Sequence, residues 1–290
     1  MRKHTNVRFT MRNGLALALA LVAGGLGSSA YAGRGGSVGG IKSAIASGSA
    51  DSIISALEQS EKLVCMSCVE PVMGLLDYDS QKVRDAAGWW LGKRGVRTEV
   101  IDKMTARLVT GQDPIGARNA ADVLGGMREF SAVAPLMGYL AKPLDEESGA
   151  AVARALGNIG HPSALPGLKT GMASQLVGVR VASMQAVRNL RAVTGQKAPI
   201  TADAVTPLLA DSDPAVRREA AYTAGWLRDK VAVPGLVTAL ADTDATVRKA
   251  AAWSLGEIGD GTASNALSAL RNDSDSSVRS IANAAILRLK

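Results

Sequence analysis

Two cysteines are the residues of this chain best suited to redox or metal chemistry. Cys65 and Cys68 are its only cysteines and are separated by two residues. Such a pair can form a structural disulfide, cycle between thiol and disulfide, or bind copper(I) with the help of Met66 and Met73. A c-type haem site requires a histidine where Val69 stands, and a zinc site requires two further ligands. We expect a structural disulfide, with a redox or copper role as the alternative.

A single histidine is the other candidate for chemistry. His161 is the only histidine that follows residues 1–32, which are interpreted below as a signal peptide. One histidine offers one base for a Ser-His or Cys-His pair, and no motif places a nucleophile beside it. It lies at a place in the turn that Asp229 and Asp260 take elsewhere, so we interpret it as a turn residue. The sequence therefore predicts no catalytic residue, no metal centre and no cofactor.

Residues 1–32 have the three-part pattern of a secretory signal peptide. A positive start is followed by nine apolar residues at 15–23 and by an Ala-Tyr-Ala end at Ala32. Nine apolar residues are too few to span a bilayer, and small residues are what a signal peptidase recognises. We expect cleavage after Ala32 and export to the periplasm or beyond the cell, with Met11 as an alternative start to Met1.

The net charge of the chain depends on whether the predicted signal peptide is removed. The 33 basic residues fall to 29 without the four in 1–32, against 26 acidic ones, so the exported chain has a net charge of +3. Binding to nucleic acid calls for a basic stripe that survives cleavage. The sequence therefore predicts no nucleic acid as a partner.

Arginines that recur at a near-constant interval indicate how the chain is organised. The last three are 31 residues apart, each in a Val-Arg pair followed by small residues, and Gly149 marks a copy without arginine. A period of this size is typical of an α-solenoid, whose units are small supersecondary structures stacked in a line. The full row is Arg84, Arg118, Arg180, Arg217, Arg248 and Arg279.

Residues 231–259 illustrate the predicted unit. An apolar stripe at helical spacing predicts a first helix, a short polar turn follows, and a second stripe predicts a second helix that ends at Gly259. An aspartate in the turn can accept hydrogen bonds from the free N–H groups that open the second helix. The predicted N-cap residues are Asp113, Asp213, Asp244 and Asp275.

The interval breaks once, because Arg180 and Arg217 are 37 residues apart. We assign the surplus to a longer loop between two sub-stacks. The predicted organisation is a signal peptide at 1–32, a Gly-rich leader at 33–40, an N-terminal helical cap at 41–63, a first sub-stack at 64–190, the loop at 191–203 and a second sub-stack at 204–290.

The units resemble HEAT repeats, in particular the short, alanine-rich HEAT-like kind named for phycobilisome lyase subunits. The residues that carry the resemblance are 213–217, 247–260 and 273–279, and it extends over roughly 65–290. It implies an all-α, right-handed α-solenoid of about seven two-helix HEAT-like repeats with an N-terminal helical cap. Function does not follow from this fold. The HEAT-like enzyme that hydroxylates deoxyhypusine holds two irons with His-Glu pairs, and this chain contains no such pair.

The resemblance also implies that the second helices line the concave face of the solenoid. The place five residues after each arginine lies off the apolar stripe, so its side chain is expected to face that groove. The alternative is that these side chains fill space against the neighbouring second helix. The row is Trp89, Val123, Arg154, Gln185, Tyr222, Trp253 and Ala284, of which we predict Trp89, Arg154, Gln185, Tyr222 and Trp253 to contact a partner.

The arginine row admits two interpretations. Six guanidinium groups could bind an acidic peptide or a phosphate-bearing ligand. Alternatively, each pairs with an aspartate of a turn in its own or a neighbouring unit and with helix carbonyls. The aspartates selected for this pairing are Asp113, Asp213, Asp244 and Asp275. We predict this second, structural ladder because basic and acidic residues nearly balance.

Two classes of function compete. We predict an exported, non-catalytic scaffold that binds a protein or peptide along the concave face. The alternative is a periplasmic accessory factor, either a thiol-redox factor that uses Cys65 and Cys68 or a lyase-like carrier of a chromophore or metal.

Overall fold

The computed structural model describes residues 36–110, 112–143, 145–194 and 202–289. Over these ranges the chain consists of helices and turns, without a strand. The predicted signal peptide and the first residues of the predicted leader lie outside the described residues. No helix in the described part of the chain is both long and apolar enough to cross a membrane.

A helical pair and seven two-helix units follow one another along the described chain. The pair is α1 (Val38–Ser47) and α2 (Ala50–Gln59). The first helices of the units are α3 (Val69–Gly74), α5 (Arg97–Thr110), α7 (Val133–Leu140), α9 (Leu165–Met172), α11 (Ala202–Val205), α13 (Val233–Ala239) and α15 (Ser264–Ala269). The second helices are α4 (Gln81–Leu91), α6 (Pro114–Gly126), α8 (Glu146–Ile159), α10 (Val177–Thr194), α12 (Pro214–Leu227), α14 (Ala245–Ile258) and α16 (Ser276–Ile286).

The prediction of an all-α solenoid of about seven two-helix units is confirmed, but two boundaries differ from it. Helix α1 begins at Val38, inside the predicted leader, because Ser37 caps it by accepting from the N–H of Gly40 at 3.0 Å and Ile41 is buried. Helix α10 runs to Thr194, through the first four residues of the predicted loop 191–203, whose last two residues begin α11. Packing thus extends helices past the points where composition indicates a break.

Neighbouring second helices approach each other through their backbones. A Cβ atom added at Gly125, Gly157 or Gly256 would lie 2.8 Å from a Cα atom of the next second helix. On the first helices, the corresponding approach of Gly167 is to the side chain of Met137, not to its backbone. The stack is therefore tighter on the side of the second helices, which is the side that the sequence analysis assigned to the concave face.

One continuous apolar core runs between the two helix layers. Trp90 is fully buried in it, and its indole Nε1 donates to the carbonyl of Ser60, which ties the N-terminal pair to the first unit. Gly149 explains the copy without arginine, because a Cβ there would lie 2.6 Å from Val179 and 2.8 Å from Pro143. No larger side chain fits at that place unless its neighbours move.

Candidate binding surface

The arginine row is bound into the turns of the solenoid. Nη1 of Arg248 donates to the carbonyls of Asp242 and Thr243 at 2.9 and 3.2 Å, in the turn before its own helix. Nε and Nη2 of the same guanidinium donate to both carboxylate oxygens of Asp273, in the next unit, at 2.8 Å each. Each such arginine therefore closes its own turn and links its unit to the next.

The pairing recurs at two earlier junctions, whereas only the turn contacts recur after it. Arg217 donates in the same way to its own turn and to both oxygens of Asp242, at 2.7 and 2.9 Å. Arg180 donates to two turn carbonyls and to Asp211 at 3.0 Å. Arg279 binds its turn carbonyls, and no carboxylate among the described residues lies within 4 Å of it.

The aspartates that receive these arginines are not the ones that the sequence analysis selected. Asp211, Asp242 and Asp273 each lie two residues before a predicted N-cap residue, in an Asp-Xaa-Asp motif. The hydrogen bond from Arg217 lowers the pKa of Asp242, and the one from Arg248 lowers the pKa of Asp273. Their own 31-residue spacing was a signal that could have identified them.

The predicted N-cap aspartates accept from the helix openings. Asp113, Asp213, Asp244 and Asp275 accept from backbone N–H groups two residues on, at 2.7 to 3.0 Å. Each side chain satisfies a donor that the helix itself leaves free. The Asp-Xaa-Asp motif thus divides two tasks, with the first aspartate linking units and the second opening the helix.

Arg118 does not belong to this ladder, in contrast to the prediction. It donates to Glu147 at 2.7 Å and to the side chain of Asn119 at 3.3 Å, and to no carbonyl of those turn residues that the structure describes. The reason is a frame shift of one residue. Arg118 follows its N-cap Asp113 by five residues, whereas Arg217 follows Asp213 by four.

The same shift corrects the predicted aromatic row. Counted from the N-cap, the row position in α6 is Asp122, and Val123 is fully buried in the core. At the end of the row, Ala284 is exposed. Neither Val123 nor Ala284 offers a side chain that could grip a partner.

Three aromatic side chains cluster on α12 and α14. The rings of Tyr222 and Trp253 meet edge to face, with centroids 5.5 Å apart, and both side chains are half-buried. Trp226 lies one turn beyond Tyr222 on the same side of α12 and is 41% exposed. Sequence analysis missed Trp226, although its spacing of four residues from Tyr222 was the available signal.

Trp89 lines a separate cavity at the other end of the same face. The cavity has a volume of about 510 Å³ and is bordered by α2, α4, α6 and α8, with Ile54, Asp85 and Asn158 among its walls. Lys93 Nζ lies 4.1 Å from the centroid of the Trp89 ring. The second helices of four successive pairs therefore border one cavity beside Trp89.

A charged cluster lies beneath that cavity. The buried Arg84 guanidinium donates to Asp122 at 2.5 Å and to two turn carbonyls, at 2.6 and 2.8 Å. Burial and the neighbouring Asp122 carboxylate raise the pKa of Asp85 to about 6, although Arg84 and Arg154 act in the opposite direction. The predicted partner-binding residue Arg154 therefore lies near two carboxylates, and no described residue accepts a hydrogen bond from its buried Nε.

Gln185 belongs to a second polar cluster in the middle of the row. Its amide nitrogen lies 3.5 Å from Glu219, which also binds Arg188. Arg188 donates in addition to the hydroxyl of Thr223 at 3.1 Å, and burial lowers the pKa of this arginine. Gln185 therefore links α10 to α12.

The cysteine pair lies directly before α3, at the start of the first unit. Cys65 and Cys68 are buried and joined by a disulfide, with the two sulfurs 2.01 Å apart. Cys65 and Met66 line a cavity of about 570 Å³, together with Lys93 and other residues. In the described part of the chain, no group of three His, Cys, Asp or Glu side chains could hold a metal ion.

His161 occupies a turn, as its sequence position indicates. Its Nδ1 lies 2.7 Å from the hydroxyl of Ser163 and accepts from the backbone N–H of that residue at 3.2 Å. Its ring contacts Phe130, with centroids 4.3 Å apart. The side chain therefore caps the 3₁₀ turn at Pro162–Ala164.

Comparison with known proteins places the chain in a family. A family model of HEAT repeats matches residues 101–191 and 200–286. No curated protein sequence matches. The solved complex of CpcE and CpcF of phycocyanin lyase from Nostoc sp. PCC7120 is 26% identical, with 76% of this chain and 86% of that chain covered and a TM-score of 0.40.

Two further solved structures are similar to this chain. Human deoxyhypusine hydroxylase is 20% identical, with 86% of this chain and 95% of that chain covered and a TM-score of 0.36. The karyopherin Kap121p, solved with the extreme C-terminus of the protein phosphatase Cdc14p, is 14% identical, with coverages of 86% and 33% and a TM-score of 0.55. The stretches that match the family model make up more than half of the 290 residues, so this chain belongs to the HEAT-repeat family.

Proposed function

We propose that this protein is a non-catalytic scaffold that binds a protein or peptide segment along its concave face. The observation that carries the proposal is the cluster of Tyr222, Trp226 and Trp253 on two neighbouring second helices. Large aromatic side chains left part-exposed provide much contact area and lose little conformational entropy when a partner covers them.

The stack explains how such a face would bind. Each second helix contributes one or two side chains, and packing on both neighbours fixes their positions before a partner arrives. A rigid surface loses little ordering entropy on binding, so more of the contact energy appears as affinity. Kap121p shares the fold and was solved with a protein C-terminus bound, which supports the general capacity of the architecture to hold a peptide.

Site-directed photo-crosslinking in the native cell tests the proposal. A photoreactive phenylalanine would replace Tyr222 on the concave face, and the control would replace Phe130, an aromatic residue 56% exposed at the start of a first helix. We expect one discrete protein adduct from Tyr222 and none from Phe130. Equal capture at both positions would contradict the assignment of the face.

Binding of the captured partner must then depend on the aromatic cluster. We expect Trp253→Ala to weaken its affinity by about tenfold or more, as for a central interface residue, and Phe130→Ala to leave it unchanged. Thermal unfolding followed by circular dichroism identifies any loss that comes from unfolding instead. A Trp253→Ala variant that folds and binds like the wild type would refute the proposal.

We also propose that the protein is exported. The support is the three-part pattern of residues 1–32, and the test is mass spectrometry of the protein purified from its native host. A mature N-terminus at Gly33 is the expected result. A chain that keeps residues 1–32 would contradict it.

A thiol-redox function is the second candidate, favoured by the disulfide beside a cavity. Met66, between the cysteines, is 76% exposed, and Lys93 and Arg94 line the same cavity. Cations near a cysteine favour its thiolate form, which is the reactive species. If this function holds, Cys68→Ser abolishes reduction or oxidation of a disulfide substrate while the solenoid stays folded.

A further inference from the structure

Each of the aromatic side chains that meet on α12 and α14 is preceded by a cation one helical turn earlier. Arg218 lies four residues before Tyr222, and Lys249 lies four residues before Trp253. Residues at this spacing lie on the same side of a helix. The two cations therefore occupy equivalent positions on neighbouring helices, beside the same aromatic pair.

These two cations differ from the ladder arginines next to them. Arg217 and Arg248 are each held by both oxygens of a carboxylate. Among the described residues, by contrast, no carboxylate lies within 4 Å of Arg218 or Lys249. Both are half-buried, so solvent screens their charges less than those of fully exposed side chains.

The acidic residues on the same two helices are already engaged. Glu219 binds Arg188, and Glu257 binds both Arg228 and Arg288. Neither acid is therefore left to neutralise the free cations. This part of the face presents positive charge next to apolar rings.

We infer, on the basis of the proposed function, that the ligand of this surface is an acidic peptide segment. Its carboxylates bind Arg218 and Lys249, and a neighbouring apolar side chain packs on the rings of Tyr222 and Trp253. Charge complementarity fixes the register of the segment, and the aromatic contact supplies the buried area.

A single-stranded nucleic acid would also be attracted to cations and aromatic rings. Such ligands require a continuous basic groove that follows several phosphates. Here the free cations number two among the described residues of α12 and α14 on this face, and Glu219 and Glu257 lie on the same helices. These observations favour the peptide.

Three synthetic peptides of identical length test the inference by fluorescence anisotropy. Each alternates leucine or phenylalanine with one polar residue, which is glutamate, glutamine or lysine. We expect the glutamate peptide to bind the intact protein about tenfold more tightly than the glutamine peptide, and the lysine peptide not to bind. Added salt weakens the first interaction.

Charge reversal locates the binding. We expect Arg218→Glu combined with Lys249→Glu to remove the preference for glutamate over glutamine. The control pair is Arg271→Glu with Lys42→Glu, at exposed positions outside α12 and α14, and it keeps the preference. The control imposes the same change in net charge, so a general electrostatic effect would appear in both.

The outcomes separate this inference from the function on which it rests. Equal binding of all three peptides, lost in Trp253→Ala, would overturn the acidic ligand and leave the peptide scaffold standing. No binding of the glutamate peptide at about 1 mM, the weak limit of specific recognition, would overturn the inference as well. Tighter binding of a labelled oligothymidylate than of the glutamate peptide would replace it with a nucleic acid ligand.

Discussion

Replacing Arg248 with alanine tests whether the ladder, in addition to the core, holds the units together. The change removes two hydrogen bonds to turn carbonyls and the two-pronged pair with Asp273. Arg279→Ala is the matched control, because Arg279 makes the two turn contacts and no carboxylate of the described chain lies within 4 Å of it. The difference between the two variants therefore measures the link to the next unit.

The structure gives the expected size of each effect. The side chains of Arg248 and Asp273 are 13% and 7% exposed, and removing one partner of a buried pair costs about 3 to 5 kcal/mol. Asp273 keeps one backbone donor at 2.8 Å, from Asp275, so we expect about 3 kcal/mol for Arg248→Ala. Arg279→Ala loses turn contacts that water can replace, and we expect about 1 kcal/mol.

Urea unfolding followed by far-ultraviolet circular dichroism measures both free energies. A double-mutant cycle with Asp273→Ala isolates the pair itself, and we expect a coupling of about 2 kcal/mol. Because the cycle does not involve Arg279, its result does not depend on the location of Arg279 in the last described unit. If the two single variants cost the same, and the coupling stays below about 0.5 kcal/mol, the ladder does not stabilise the junctions.

Three further predictions follow from other sites. Burial holds the pKa of Asp85 near 6, above its ordinary value of 3.8, so the folded state binds this proton more tightly and stability falls as the pH rises through that window. Asp85→Asn should therefore have a larger free energy of unfolding than the wild type at about pH 8, by at most about 2 kcal/mol after solvent screening, and should match it below about pH 4. The unfolding temperature measures this difference, and the exposed Asp102→Asn is the control. Gly256→Ala should lower the free energy of unfolding in urea by about 1 to 3 kcal/mol, because the added Cβ meets the backbone of the next helix. Gly138→Ala, with open space around the added Cβ, should raise it by about 0.5 to 1 kcal/mol. Equal effects of the two changes would contradict the tight packing. The double change Cys65→Ser and Cys68→Ser should cost only about 2 kcal/mol, because the disulfide closes a very short loop, and a larger loss of melting temperature would mean that the pair organises the first unit.

The repeat period predicted the parts of this fold that depend on local rules. Seven units and four aspartate N-caps follow from where a residue falls in the period. The export signal lies outside the described residues and stays a prediction. The period also placed Tyr222 and Trp253 at equivalent positions, where the structure brings their rings into contact.

Contacts between units were harder to predict because they join residues that are far apart in the sequence. The partner of Arg248 lies 25 residues further along the chain. The sequence analysis therefore assigned the arginines to the capping aspartates, which have the same period. The one-residue shift at Arg118 is hidden in the sequence because the interval from Arg118 to Gly149 is again 31 residues. The distance from Asp113 to Arg118, one residue longer than that from Asp213 to Arg217, is the signal that reveals it. The length of α10 depends on packing, to which helix-breaking residues are only an indirect guide.

The Asp-Xaa-Asp motif has a consequence for how such a protein can evolve. Each unit that carries the motif brings an acceptor for the arginine of the unit before it and a donor for the unit after it. A duplicated or deleted unit of this kind therefore leaves its new neighbours correctly paired. The binding face can lengthen or shorten by whole units, and natural selection can then act on the side chains of the face without first repairing a junction.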